Sequence, residues 1–296
     1  MGRLILNADD FGLTAGVNRA IIELHQAGFL TSATLMAKAT ATEEAIEIAR
    51  STPTLAVGCH IVLVDGEPVL SPREDVPCLA DPIDGRFRPS LLRFVNVLYG
   101  HLDRRWLSGG RVFREIESEA AAQIALLQSH GLHLTHIDTH KHTHMFPAVL
   151  RPVLCAAKAA GILAIRNPFE PAWSLGATPR AALVRRTEVR LLRLLEPAFR
   201  RIVAEEGFTT TDGAIGVLAT GTLDAATVNS LLRNMPPGTW ELVSHPGYND
   251  ADLARAHTRL LASRETEREA LREIERFPDL ERISFAGLQP GSSPSC

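Results

Sequence analysis

The segment LILNADDFG, residues 4–12, predicts a buried β-strand that ends in two adjacent acidic residues. Asp9 and Asp10 directly follow the apolar run, and Gly12 would supply the turn into a helix that starts near Thr14. Neighbouring carboxylates repel each other unless a cation or a shared proton relieves the repulsion. A carboxylate that caps the following helix is the structural alternative. The segment therefore predicts a strand-to-helix unit with a candidate metal site at the carboxyl end of the strand.

Strand and helix patterns alternate along the rest of the chain. Strands are predicted at residues 3–8, 31–36, 55–61, 133–139, 162–166, 215–218, 240–244 and 282–286, and helices at 14–27, 41–51, 111–130, 147–160, 178–206, 222–234 and 263–276. Such alternation is typical of parallel strands joined by crossover helices. About eight strands in a chain of this length favour an α/β fold, an irregular TIM-barrel-like (β/α) barrel. A doubly wound open sheet is the alternative.

Two segments interrupt the alternation within the single barrel domain that we predict for residues 1–287. Residues 64–110 are rich in Pro, Gly and Asp and predict an active-site loop region with some helix, since structureless loops of that length are uncommon. Residues 172–207 predict an extra helical insertion, in which Pro197 should break or kink the helix. The tail, residues 288–296, is mostly Gly, Ser and Pro, and we expect it to be disordered.

The leucines of this insertion leave its role open. Leu191, Leu192, Leu194 and Leu195 lie close to several arginines in the sequence. Three roles suit the pattern: packing on the barrel, a homodimer contact, or contact with a lipid-bearing substrate. Packing is the simplest of the three.

Composition limits the kinds of binding partner that we expect. The net charge is −3 and 45% of the residues are hydrophobic, so we expect no nucleic-acid surface and no stable membrane insertion. The first strand starts almost at once and leaves no room for a signal peptide, which predicts a cytoplasmic protein. The four cysteines lack CxxC spacing and indicate reduced thiols, not disulfides or a thiolate zinc site.

Polar side chains follow five of the predicted strands at the point where each strand ends. Besides the two aspartates, these are His60, His140, Arg166 and His245. The carboxyl ends of parallel strands face one common mouth, where ligands bind in α/β folds. The spacing therefore predicts that separate segments supply one site, although His60 alone would suit a core position and His245-Pro246-Gly247 a turn.

The run HIDTHKHTH, residues 136–144, is the densest cluster of metal-binding residue types. Its alternating members would share one face in an extended conformation; they are His136, Asp138, His140, His142 and His144. A hydrolytic metal site needs about three protein ligands and an open position. We predict that Asp10, His60 and His140 hold one divalent ion, Mg or Zn, with the pair His140 and His144 as the alternative. The remaining members would orient ligands or contact substrate.

Three further residues are assigned catalytic or supporting roles. Asp9 would act as the general base and His245 as the general acid. Arg166 would either bind a substrate carboxylate or hydroxyl, or pair with Asp9 and shift its pKa.

These residues and their motifs resemble the YdjC-like carbohydrate deacetylases, which include the bacterial chitooligosaccharide deacetylase. The resemblance rests on segments 7–12, 31–34, 58–60, 66–70, 136–147 and 245–247. It implies an irregular β/α barrel, a divalent metal, and hydrolysis of an N-acetyl group on an amino sugar. By position it also implies Asp10, His60 and His140 as ligands and Asp9 as base.

The sugar stays open at this point. Residues 168–171, Pro-Phe-Glu-Pro, resemble the hopanoid-associated branch, which deacetylates a lipid-linked glucosamine, whereas Asp138 resembles the general chitooligosaccharide pattern. A metal-dependent barrel phosphoesterase or isomerase would use the same ligands, and a dinuclear centre would favour phosphoesters. An inactive sugar-binding homologue is a third hypothesis, but binding alone does not need a base beside the metal.

Overall fold

The first strand lies at the centre of a parallel β-sheet. The computed structural model describes residues 2–99, 110–178, 181–256, 258–275 and 277–288. In these residues the strands are β1 (Gly2–Phe11), β2 (Ser32–Leu35), β3 (Ala56–Ile61), β4 (Ile137–Thr139), β5 (Gly213–Ile215), β6 (Gly238–Ser244) and β7 (Leu280–Ile283). Their order is β4-β3-β2-β1-β6-β5, and β7 also pairs with β1. All pairings are parallel.

Helices follow or separate these strands. In the described residues they are α1 (Ala15–Gln26), α2 (Thr42–Ser51), α3 (Leu91–Tyr99), α4 (Arg111–Ser129), α5 (Pro147–Ala159), α6 (Ala172–Ala177), α7 (Leu183–Leu192), α8 (Glu196–Glu205), α9 (Ala225–Arg233), α10 (Ala251–Arg255) and α11 (Ala262–Arg272). The hydroxyl of Thr14 accepts a hydrogen bond from the Val17 amide and caps α1. The cap of this helix is therefore a threonine, and both aspartates of β1 are available for the site.

Strand β1 has a bulge where the two aspartates lie. Its register with β2 shifts between Ala8 and Phe11, and Asp10 adopts a left-handed φ of 62°. Adjacent residues in a regular strand point to opposite faces. The bulge re-aims the backbone, and this allows Asp9 and Asp10 to reach the same site.

Alternate residues of β1 pack into different apolar clusters. Leu4 and Leu6 belong to the large core that the helices cover, whereas Ile5 packs with Phe285 and Leu288. Asn7 and Asp9 follow Ile5 at the same period of two. Leu288, the first residue of the tail that we predicted to be disordered, is buried, so the prediction is wrong at this position. Residues 289–296 lie outside the described part of the chain.

The sheet curls into an open half-barrel. The α/β class with parallel strands is confirmed, but the ladder of strands does not close within the described residues. The predicted strand 162–166 is wrong as a strand, because only single bridges form there, from Ile165 to Ile137 and from Ala164 to Thr209. Just after this segment, the Asn167 side chain donates to the Thr211 carbonyl and accepts from the Phe169 amide.

The long region 64–110 contains helix α3, as predicted, and residues 100–109 lie outside the described chain. Buried polar side chains of α4 hold the loop that precedes α3. Glu119 accepts from the amides of Val69 and Leu70, and Gln123 bonds both backbone groups of Val62. These contacts fix the loop against α4.

The stretch predicted as one helix, residues 178–206, forms two helices in its described residues, and α6 precedes them in the insertion. A short 3-10 segment, Arg193–Leu195, separates α7 from α8, and the break falls just before Pro197 as predicted. Leu192 and Leu195 pack against the core, whereas Leu191 and Leu194 are exposed by 61% and 75%. Packing against the core therefore explains two of the four leucines and leaves the other two without this role. Among the described residues, every helix is too short or too polar to cross a membrane.

We expect Glu170 to make folding stability depend on pH. Burial raises the pKa of its carboxyl to about 7, although the Ser174 hydroxyl and the Leu218 amide donate to it. The folded protein therefore binds a proton that the unfolded chain releases above its own pKa near 4.3. This contribution to the free energy of unfolding is full below about pH 4 and is lost as the pH rises through about 7.

Urea unfolding at pH 5 and pH 8 checks this prediction. Glu170→Gln should reduce the difference between the two pH values by about 1–3 kcal/mol. The exposed Glu74→Gln serves as the control. Equal pH dependence in Glu170→Gln and wild type would contradict the expected role of Glu170.

Candidate active site

Three possible metal-ligand atoms from three strand ends lie close together. The Nε2 atom of His60 is 3.5 Å from Asp10 Oδ1, and His140 Nδ1 is 3.3 Å from the same oxygen. The two imidazole nitrogens are 3.2 Å apart. Ligands at about 2.1 Å from a tetrahedral ion are about 3.4 Å from each other, so the spacing suits one metal ion.

The chemistry of these atoms also fits a cation. Asp10 Oδ1 is buried and has no hydrogen-bond partner, whereas buried polar atoms are normally paired. An ion between the three atoms would satisfy this oxygen and both imidazole lone pairs. Asp10, His60 and His140 therefore form a group that can hold a metal ion.

Asp138 orients His60. The Nδ1 atom of His60 donates to Asp138 Oδ1 at 2.8 Å, and the Thr34 hydroxyl lies 3.2 Å from the same nitrogen. Burial would lower the pKa of His60, but Asp138 raises it to about 9. A carboxylate behind a ligating imidazole fixes the tautomer and makes the ring a stronger electron donor.

Arg166 is fully buried and pairs with three carboxylates, those of Asp9, Asp138 and Glu241. Its two terminal nitrogens donate to the two oxygens of Asp9 at 2.6 and 2.8 Å. Burial alone would raise the pKa of Asp9, but Arg166 outweighs burial and holds this pKa well below the usual carboxyl range. Of the two roles predicted for Arg166, the structure supports the pairing with Asp9.

His245 lies near Asp9 and Glu267. Its Nε2 atom is 3.7 Å from Asp9 Oδ2, and its Nδ1 atom is 3.6 Å from Glu267 Oε2. Burial lowers the pKa of His245, but Glu267 and Asp9 together raise it above the usual histidine value. The imidazole can therefore carry a proton near neutral pH, as a general acid must.

The histidine run does not stay extended, so the prediction that its alternating members share one face is wrong. β4 ends at Thr139, and His140–Met145 forms a 3-10 segment in which Lys141 and His142 have left-handed φ values of 55° and 52°. Only the first part of the run keeps the period of two. His140 directly follows β4 and lies beside Asp10, and the turn after it sends the later histidines elsewhere.

The other histidines of the run lie outside the ligand group. His136 stacks on Phe285 at 3.7 Å between ring centroids. Both ring nitrogens of His144 are engaged, with the Thr139 hydroxyl at 2.7 Å and the Arg166 carbonyl at 3.2 Å. Burial and Arg166 lower the pKa of His144 to about 3. The alternative ligand pair of His140 and His144 is therefore disfavoured, while His142 is partly buried with an unpartnered Nδ1.

Comparison with known proteins gives the family. The family model described as YdjC-like protein matches residues 3–280. The chain belongs to the YdjC-like family. The match includes both the aspartate pair and the histidine run.

Curated relatives of this YdjC-like chain carry the name carbohydrate deacetylase. One from Brevibacillus brevis is 41% identical over 174 residues, which cover 59% of this chain and 61% of the relative. One from Oceanobacillus iheyensis is 37% identical over 156 residues, covering 53% and 61%. In both comparisons the chain spans less than two thirds of the relative's length.

A solved structure extends the likeness to the fold. A crystal structure from Enterococcus faecalis V583, of a protein named for cellobiose-phosphate cleavage, is 28% identical with a TM-score of 0.69. The alignment covers 91% of this chain and 90% of that protein.

Sequence reasoning missed three fully buried charged residues that contact the candidate site residues Arg166, Asp10 and His245: Glu241, Arg264 and Glu267. Glu241 interrupts an apolar strand, and an acidic residue at such a position signals a buried ion pair. Arg264 and Glu267 lie in a helix that is rich in charged residues, and so the sequence gives no signal that separates these two from their exposed neighbours.

Proposed function

We propose that this protein is a metal-dependent hydrolase that removes an N-acetyl group from an acetylated amino sugar. Family membership and the names of the relatives support the reaction class. The observation that carries the proposal is the division of labour between two adjacent carboxylates. Asp10 has a free oxygen beside two imidazoles, while both oxygens of Asp9 accept hydrogen bonds from Arg166.

In this proposal Asp10, His60 and His140 hold one divalent ion. The ion would polarise the acetyl carbonyl and make water more acidic. Two imidazoles in the group favour zinc over magnesium, which prefers oxygen ligands. Asp138 keeps His60 in the tautomer that presents Nε2 to this site.

Asp9 and His245 move the protons. A general base must be deprotonated at the working pH, and Arg166 ensures this for Asp9. Asp9 accepts a proton from the water that attacks the acetyl carbon. His245 donates a proton to the amine as its bond to that carbon breaks, and acetate is released.

The substrate would enter on the side of His140 and His245. Their side chains are 20% and 13% exposed, whereas those of Asp9, Asp10 and His60 are exposed by at most 4%. Lys141 links this entrance to the loop region 64–110. Its ammonium group donates to Asp65 at 2.7 Å and to the Pro89 carbonyl at 3.2 Å. We propose that this loop forms a wall of the sugar site within one domain, residues 1–287, with His142 as a substrate contact.

A dinuclear phosphoesterase is less well supported. A second group of possible ligand atoms, from Asp9, His60 and Asp138, exists in the described residues. The guanidinium of Arg166 contacts both aspartates of this group. A fixed cation therefore already lies where a second metal ion would need to bind.

Acetate release tests the proposal. The chelated protein should release acetate and an equal amount of primary amine from N-acetylglucosamine oligomers or glycolipid-linked N-acetylglucosamine only after Zn²⁺ or Mg²⁺ is added. A nitrophenyl phosphate ester serves as the control substrate. Phosphate release without acetate release would favour the phosphoesterase, and sugar binding without either product would favour the inactive homologue.

A further inference from the structure

Helix α11 contributes a buried arginine to the metal ligand Asp10. The Nη2 atom of Arg264 donates to Asp10 Oδ2 at 2.5 Å, while Asp10 Oδ1 faces His60 and His140. The two oxygens of this carboxylate therefore have different neighbours. One faces the ligand group and the other is occupied by a guanidinium.

Arg264 is held firmly in place. Its side chain is fully buried, its Nε donates to the Leu260 carbonyl at 3.0 Å, and its own carbonyl accepts from the Gly247 amide. A Cβ atom at Gly247 would lie 3.0 Å from Arg264 Cδ. The close approach of this glycine leaves the arginine side chain little room to move.

The same helix is fixed a second time, one turn further on. Glu267 accepts from the backbone amide of His245 at 2.6 Å and from that of Gly221 at 3.2 Å. Residues three apart lie on the same helix face. Helix α11 is thus tied to the loops after β5 and β6, and Arg264 reaches Asp10 from a rigid base.

We propose that Arg264 is a positioning residue that limits Asp10 to one-oxygen metal coordination. A free carboxylate can bind an ion with one oxygen or with both. Because Arg264 neutralises and occupies Oδ2, only Oδ1 is available, and the ion keeps an open position for water and substrate. This inference rests on the proposed metal site but not on the identity of the substrate.

Cobalt substitution tests the inference without any turnover. The chelated protein is loaded with Co²⁺ to saturation, and the visible absorption per bound ion is recorded. Four-coordinate Co²⁺ absorbs more strongly than five- or six-coordinate Co²⁺. In Arg264→Met, which removes the donor at similar volume, Asp10 should bind through both oxygens, and absorption per ion should fall several-fold.

Two further variants separate positioning from folding. Arg264→Lys retains a cationic donor and should keep most of the wild-type spectrum, while Arg272→Gln, an exposed position on the same helix, should leave the spectrum unchanged. An Arg264→Met protein that binds one Co²⁺ with the wild-type spectrum would overturn the inference. A spectrum equally altered in Arg264→Lys and Arg264→Met would also overturn it, because the donor would then not be the cause.

Discussion

Asp9→Asn is expected to keep its metal ion and to lose about 10²- to 10⁴-fold in kcat, the usual contribution of a positioned general base. The amide that replaces the carboxylate cannot accept a proton from water. Metal binding should persist because the Asp10, His60 and His140 atoms that lie together are unchanged. The measurement is kcat at saturating substrate, combined with elemental analysis of the purified variant.

The surroundings of Asp9 require a stability control. Both of its oxygens accept hydrogen bonds from Arg166. The NH2 group of the new amide would therefore face an N–H group of the guanidinium, and both groups are donors. An unsatisfied buried donor costs about 1–3 kcal/mol, and thermal unfolding of the variant should show a loss of this size. Activity must therefore be compared at a temperature where both proteins are folded.

Asp138→Asn is the matched comparison, because Asp138 is equally buried and also pairs with Arg166. Asp138 supports His60, so this variant should weaken metal binding by about 10- to 100-fold. The two substitutions should thus have different effects: Asp9→Asn should lower turnover, and Asp138→Asn should lower metal affinity. Near-normal kcat in Asp9→Asn would remove Asp9 from the mechanism.

That these candidate residues lie together was predictable because they lie at the ends of strands. Asp10 and His60 lie near the carboxyl ends of β1 and β3, His140 directly follows β4, and parallel strands deliver such positions to one edge of the sheet. The three candidate ligand atoms indeed lie within 4.8 Å of one another. No knowledge of loops was needed for this group, since strand direction alone fixes where a strand ends.

The supporting residues depend on tertiary packing that local patterns do not encode. The extended alternation expected for residues 136–144 fails because Lys141 and His142 take left-handed conformations, which L-residues adopt only at a cost that the surrounding structure must offset. Arg264 lies 254 positions from its partner Asp10. No sequence period links two such distant residues.

The sequence pattern also did not predict that the sheet stays open beside β4. Residues 162–166 have the composition of a short strand, but the Thr210 hydroxyl donates to the Ile165 carbonyl there. Side chains that compete for backbone groups replace a strand ladder with single bridges. Composition predicts the tendency of a segment to be extended, and its neighbours decide whether a ladder forms.

His60→Ala is expected to lose most of the bound metal. It removes one of the three ligand atoms, so the loss of affinity should exceed the roughly 10- to 100-fold that removal of a partner behind a ligand costs. The fold should survive, because Asp138 keeps its ion pair with Arg166 when the imidazole is gone. Elemental analysis and a competitive chelator titration measure the loss.

Proton release gives a second, independent measurement of the role of His60. Its pKa is raised to about 9 by Asp138, so at pH 7 the metal-free imidazole carries a proton that an incoming ion must displace. Calorimetric titration of wild-type protein with Zn²⁺ in two buffers of different ionisation enthalpy should detect this proton, and His60→Ala should release fewer. The control is His144→Gln, since both ring nitrogens of His144 already have protein partners, and this variant should keep its metal. Full occupancy in His60→Ala together with metal loss in His144→Gln would reverse the assignment, because His140 and His144 would then be the imidazole ligands.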